Sequence, residues 1–353
     1  MNFRTLELNL AQLARCIQKS RFNKYSDKRK EQYQKTLAEV FESVQAHDYS
    51  KFTANQLITK KQIIDFVFES IEYLDNSTLT VIPFEMVYCL EEALNEWIPK
   101  NTYIVVTSLS NSLLSYSIKD SLALNPAIYA LIQNDYNKAF NHRLIQITLP
   151  RYYVHDYLAN VVLYHELGHF IDRTYKISES IVFIQAQKNN MPLNHPDIPI
   201  YVRHYMEYFA DIFAAQYVGN ASNLFLDYIA HKIPDSYTHP ATDKRIEVVK
   251  NFLDGNHRAE PIAELMQMTH AKTGMNLQIR FDNLPLDDFN SLLPYELINE
   301  RQLHSIFLAG WNAWQEQPNN LTNQFGNDVA YKAINNLIEK SISNYIVVKN
   351  WNS

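Results

Sequence analysis

Apolar residues recur at intervals of three and four through most of this chain, a spacing that predicts helices packed by one face. Leu6, Leu10, Leu13 and Ile17 form a first stripe, and Tyr33, Leu37, Val40, Phe41 and Val44 a second. Thr59 and Gln62 have capping-box spacing ahead of Ile63, Ile64, Val67, Ile71 and Leu74. Pro83 suits the start of a fourth helix carrying Met86, Leu90, Leu94 and Trp97. The period changes after Pro99. Residues 103–106 (Tyr-Ile-Val-Val) and 144–149 (Leu-Ile-Gln-Ile-Thr-Leu) are β-branched runs, the second alternating and stopped by Pro150, so a small sheet is expected.

Helices are then expected at about 157–172, with Asp156 as N-cap, and at 178–187, 200–218, 222–230 and 241–253. Three prolines between 190 and 199 mark a loop. Leu303, Phe307, Trp311 and Trp314 form a later stripe, followed by Ile334, Leu337 and Ile338. Residues 345–348 (Tyr-Ile-Val-Val) read as a closing strand that joins the sheet. The expected organisation is a helical region at 1–98, a core with the sheet at 99–255 and a second helical region at 256–353.

Composition narrows the class. The 353 residues suit about two domains. With 46% hydrophobic and 20% charged residues, the chain has the apolar mass for a core and is not disordered. Only 6 residues are glycine, where average usage gives roughly 25. That disfavours Gly-rich nucleotide folds and turn-dense sandwiches, and the expected class is mainly α with a small β-sheet. Thirty-two basic against 38 acidic residues give no electrostatic reason for a nucleic-acid partner. Lys28-Arg29-Lys30, flanked by Asp27 and Glu31, reads as a solvated helix face. Cys16 and Cys89 exclude a disulfide scaffold and favour a reducing compartment. The first residues lack the apolar stretch of a signal peptide, and no run reaches the roughly 18 apolar residues of a membrane span. A soluble, cytoplasmic protein without a membrane span is expected.

The chemistry concentrates in His165-Glu166-Leu167-Gly168-His169. Four residues make about one helical turn, so both imidazoles share a face and can aim at one ion. Glu166 projects beside that ion, where it can hold a water. Twelve His and 20 Glu give an expectation of about 0.02 such patterns by chance in a chain of this composition. Leu158, Val161 and Val162 place the same helix in the core, where unpaired imidazoles would carry a desolvation cost. A water-bearing zinc site needs a third protein ligand. Glu207, in Glu207-Tyr208-Phe209-Ala210-Asp211, can supply it from another helix, with Asp211 one turn on to bond the far nitrogen of a ligating histidine. Asp172, His195 and His204 are alternatives. Asp172 sits too close on the same helix to swing round to the ion, and His195 and His204 suit the wall of a cleft better than a ligand set. A third element, Thr238-His239-Pro240 followed by Arg245, can present His239 and Arg245 to the same cleft, against a plainer role in capping and a surface ion pair.

These three elements in order resemble the gluzincin zinc metallopeptidases of the CAAX-prenyl-endopeptidase and heat-shock-protease type, over about residues 144–249. The resemblance implies a zincin-like metallopeptidase core with helical flanks, and one Zn2+ per chain. His165, His169 and Glu207 would be its ligands and Glu166 the acid/base. Asp211 would stand behind the ligands, while His239 and Arg245 would touch substrate or the oxyanion. The alternating run 144–149 resembles the strand that lines the cleft in such enzymes and binds extended peptide by its edge. Many of those enzymes are embedded in membranes and this chain has no span, so a prenylated substrate is not expected. The implied activity is a zinc-dependent endopeptidase acting on a polypeptide, with no nucleic-acid partner. A regulatory protease cleaving one partner such as a repressor, and a non-catalytic interaction protein stapled by zinc, are the other readings.

Overall fold

The computed structural model describes residues 2–25, 27–78, 83–113, 115–285, 287–315 and 326–351. Three helices open the chain: α1 (Phe3–Ser20), α2 (Lys28–Gln45) and α3 (Ala54–Asp75). Then come α4 (Phe84–Trp97), β1 (Tyr103–Ser110), β2 (Ser117–Lys119), α5 (Pro126–Tyr136) and β3 (Arg143–Pro150). The rest is helical: α6 (Val162–Tyr175), α7 (Ile177–Lys188), α8 (Ile198–Val218), α9 (Ala221–Ala230), α10 (Thr242–Leu253) and α11 (Ile262–Thr273). The short α12 (Asp287–Asn290), α13 (Glu300–Gln315) and α14 (Asn327–Trp351) close it. The class is mainly α with a small sheet, as the sparse glycine suggests. The chain divides into two compact units, Met1–Ile82 with Ile98–Arg151, and Pro83–Trp97 with Tyr152–Ser353.

In the first unit β3 is the central strand, parallel to β1 and antiparallel to β2. The parallel pairing sets Ile104 against Leu144 and Val106 against Gln146, and α5 lies in the crossover between the two strands. Ile104, Val106 and Leu144 point into a core shared with Leu6, Leu10 and Leu13 of α1, Leu37 of α2 and Ile63 of α3. Val105, Ile145, Ile147 and Leu149, on the opposite face, are equally buried. Burial of both faces suits the continuous apolar run 104–106, and β3 buries Gln146 and Thr148 among its apolar residues.

Two local expectations shift here. The capping box of α3 is Thr53 with Gln56, six residues ahead of the pair read from the sequence. Thr59 lies inside the helix and its hydroxyl donates back to the Asn55 carbonyl. Of the basic cluster, Lys30 is buried, not solvated, and its Nζ donates to Ser77 Oγ at 2.5 Å. One long stem inserted into the core breaks the solvated face that the charges alone suggest.

The second unit is built round α8. From Phe209 to Val218 all its residues are buried, although its start has no side-chain cap. Phe209, Phe213 and Tyr217 are fully enclosed, and each such ring contributes roughly 2–3 kcal/mol by burial. Packing, not capping, therefore holds this helix in place. Residues 157–161 are turns and not the start of a helix, and α6 begins only at Val162. Asp156 still caps locally, since its Oδ1 accepts from Ala159 N–H at 3.0 Å.

Residues 345–348, expected as a strand, lie in α14. The stripe Ala330, Ile334, Ile338 and Ile342 runs on into Tyr345 and Ile346, while Val347 and Val348 face outward. A helical period set eighteen residues upstream outweighs four β-branched residues read alone. This helix pins the turn ahead of α6. Asn335 Oδ1 accepts from Tyr157 N–H at 2.7 Å, and Tyr331 donates to Asp156 at 2.8 Å. Among the described residues no helix is long and apolar enough to cross a membrane.

Candidate metal centre

On helix α6 Glu166 and His169 are half-buried, while His165 is buried along with Leu163, Tyr164, Leu167, Phe170 and Ile171. The helix can approach α8 closely because of Gly168. A Cβ on that residue would stand 2.8 Å from the Ala210 Cα and 2.9 Å from the Phe213 Cβ. With no side chain there, the two helix backbones nearly touch, and the α6 imidazoles reach Glu207. The helix stops at Lys176, whose left-handed backbone lets its N–H return to the Asp172 carbonyl.

Three side chains converge. His165 Nε2 lies 3.4 Å from Glu207 Oε2, and His169 Nε2 lies 3.4 Å from Glu207 Oε1. The three donor atoms all fall within 4.8 Å of one another. Donors this close together could hold one metal ion between them. A second observation agrees. Glu207 Oε2 is buried with no hydrogen bond of proper geometry, although Arg245 Nη1 lies 3.2 Å away. Two imidazoles and a buried carboxylate oxygen with capacity to spare form a donor set for a metal ion.

Behind these atoms stands a buried ionic support. His165 Nδ1 donates to Asp211 Oδ1 at 2.9 Å, which turns Nε2 towards Glu207. Arg245, on α10, grips Asp211 with two parallel bonds, Nε to Oδ2 and Nη2 to Oδ1, both 2.7 Å. Burial pushes the Asp211 carboxyl up, but the charge and hydrogen bonds of Arg245, together with His165, hold it below the usual carboxylate range. Glu207 is likewise pushed up by burial and held far lower by His165 and His169. For His165, burial opposes charge, yet hydrogen bonds and charges from Asp211 and Glu207 push its pKa up to about 10. The field of Glu166 also reaches Arg245.

No family model, curated protein or solved structure matches this chain.

The remaining candidates separate cleanly. His239 sits on the loop before α10, half-exposed, with Nε2 3.6 Å from Glu207 Oε1. Arg245 is 8% exposed, and its guanidinium is engaged by Asp211 and Glu207. That makes it a buried brace for the ligands, a role its spacing gave no means to foresee. Asp172 turns away from the ion position. Its Oδ1 accepts from the N–H and the hydroxyl of Ser178, both at 2.8 Å, and so caps α7, while burial raises its pKa. His195 Nδ1 accepts from Asp197 N–H at 3.3 Å within the proline-rich loop. His204 bonds the Ser236 carbonyl at 2.8 Å, outside the donor set. Gly168 was the residue the sequence reading passed over. Its signal was present, since a glycine inside a helix must be explained by close packing or a break.

Proposed function

We propose that this protein is a zinc-dependent endopeptidase. The observation that supports it is the joint presence of a three-donor group, two imidazoles and one carboxylate, with Glu166 directly beside it on the same helix. Structural zinc sites are closed by four protein ligands, often cysteines, and neither Cys16 nor Cys89 belongs to this group. A zinc ion held here would supply a Lewis acid for the scissile carbonyl and lower the pKa of a water from about 15.7 towards 7.

The chain's own residues would do the rest. His165, His169 and Glu207 hold the cation. Asp211 keeps His165 in the tautomer whose Nε2 lone pair is free, and Arg245 fixes Asp211. Glu166 takes a proton from the attacking water and passes it to the leaving amine. His239 faces the same centre and can donate to the carbonyl oxygen as charge develops, a contribution often worth about 3 kcal/mol. A polypeptide is the expected substrate, and the resemblance to soluble gluzincins of the CAAX-prenyl-endopeptidase and heat-shock-protease type stands behind that expectation.

The test is Glu166→Gln. The variant should bind one zinc per chain and lose casein cleavage and self-cleavage, because the ligands survive and the proton carrier does not. Turnover that persists in this variant would end the proposal. The same variant, used to trap bound polypeptides for mass spectrometry, would name the substrate.

A further inference from the structure

Among the described residues no carboxylate balances the charge of Arg203. This arginine lies on α8 one turn before Glu207, on the same face of the helix. Its guanidinium stands 4.3 Å from the centre of the Tyr237 ring, and its Nη1 is buried without a hydrogen-bond partner. The acids of the two segments that flank it are committed elsewhere. Arg245 Nη1 lies 3.2 Å from Glu207 Oε2. Asp235, two residues before Tyr237, accepts from Ala241 N–H at 2.7 Å and from Lys244 Nζ at 2.5 Å.

A ring stacked on a guanidinium uses one face of it and leaves the five N–H donors, which lie in its plane, to a partner at the edge. The partner that fits such a fork best is a planar carboxylate, as Asp211 does at Arg245. A buried N–H left unbonded costs stability, so this one calls for an explanation.

The Tyr237 loop runs alongside α8. His204 Nε2 donates to the Ser236 carbonyl at 2.8 Å, and His239, two residues past Tyr237, lies 3.6 Å from Glu207. Passing from Arg203 to Glu207 on the helix therefore matches passing from Tyr237 to His239 on the loop. That places Arg203 about one turn, or about 6 Å, along α8 from the candidate ligand.

We infer that Arg203 determines specificity by binding a carboxylate of the polypeptide substrate, from an acidic side chain or from a chain end. An extended peptide advances about 3.3 Å per residue, so that carboxylate belongs within about two residues of the bond that is cut. The inference rests on the peptidase reading for the cut. The carboxylate site does not, and the two can fail separately.

The experiment uses the full-length, zinc-loaded protein and three pools of synthetic decapeptides in an uncharged background. One pool carries a single glutamate moved through the positions, and the second carries glutamine in its place, both with capped ends. The third has no acid except a free carboxyl end. Mass spectrometry follows cleavage and, separately, retention on the protein. Glutamate peptides should be cut with a kcat/KM about tenfold above their glutamine partners at one position. Arg203→Met should remove that preference at unchanged zinc content and with unchanged rates on glutamine peptides, and Arg203→Lys should keep part of it. A preference for the third pool that Arg203→Met removes would assign the carboxylate to a chain end. Equal treatment of all three pools, or an Arg203→Met variant that slows every peptide alike, would overturn the inference and leave Arg203 as a prop for the loop. If nothing is cut, the peptidase reading fails and retention decides. Glutamate peptides held above glutamine peptides by wild type, and not by Arg203→Met, would keep the carboxylate site, and equal retention would end it.

Discussion

The site a Cβ would occupy on Gly168 is 2.8 Å from the Cα of Ala210. This near-contact sets the distance between the helix that carries His165 and His169 and the helix that carries Glu207. Gly168→Ala gains up to about 1 kcal/mol of helix propensity but forces backbone against backbone, an overpacking cost of roughly 1–3 kcal/mol. The neighbours are a Cα and a Cβ, which cannot rotate away, so overpacking should prevail. We expect a lower melting temperature and a weaker hold on zinc, measured by thermal unfolding and by competition with a chromogenic chelator. Unchanged zinc affinity would mean that helix separation does not set the ligand geometry.

Glu207→Ala should strip the metal. Two imidazoles remain on α6, and zinc affinity should fall at least a hundredfold. Dialysis followed by metal analysis checks this. If about one zinc per chain survives dialysis, the third ligand lies elsewhere.

Arg245→Met should destabilise the fold, because it leaves the Asp211 and Glu207 carboxylates buried without their guanidinium. Breaking one partner of a buried pair costs about 3–5 kcal/mol. Adding Asp211→Leu to that variant should return part of the loss, since both partners of the bidentate pair are then apolar. Urea unfolding of the single and double variants in the presence of a chelator measures the coupling. Strict additivity would remove Arg245 from its bracing role.

Acid should act through His304. This ring is fully buried, with Nδ1 2.8 Å from the Tyr164 hydroxyl and packed on the Tyr217 ring. Burial lowers its pKa to about 3, with the charge of Glu300 raising it slightly and that of Arg280 lowering it. The unfolded chain takes up a proton near 6.5 that the folded chain refuses until about 3. Stability is therefore complete above pH 6.5 and is lost as pH falls towards 3, by on the order of 4 kcal/mol. His304→Asn, whose amide oxygen can still accept from Tyr164, should flatten the fall in urea midpoint between pH 6.5 and 3. The same slope in the variant would assign the acid sensitivity to other groups.

Much of this was visible in one dimension, for reasons that differ by residue. Spacing alone puts His165 and His169 on one face of α6, because an α-helix converts four residues into one turn. The strands at 103–106 and 144–149 announce themselves because their residues are mostly apolar and β-branched, as suits strands covered on both faces. Arg245 was different. Its partners are 34 and 38 residues away, and nothing local distinguishes a buried guanidinium from a surface one. The run 345–348 misled because β-branched residues fit a helix well enough when their neighbours at 338 and 342 already point to the core. The turns at 157–161 were missed because their hydrogen-bond partner, Asn335, lies 178 residues further along the chain.

One property of the brace at Arg245 bears on assembly. A guanidinium keeps its proton at any pH a cell encounters, so this counter-charge is built into the polypeptide and present as soon as the helices meet. Glu207 and Asp211 are both paired with it directly. The site's buried negative charge is therefore partly balanced whether or not a metal ion is supplied.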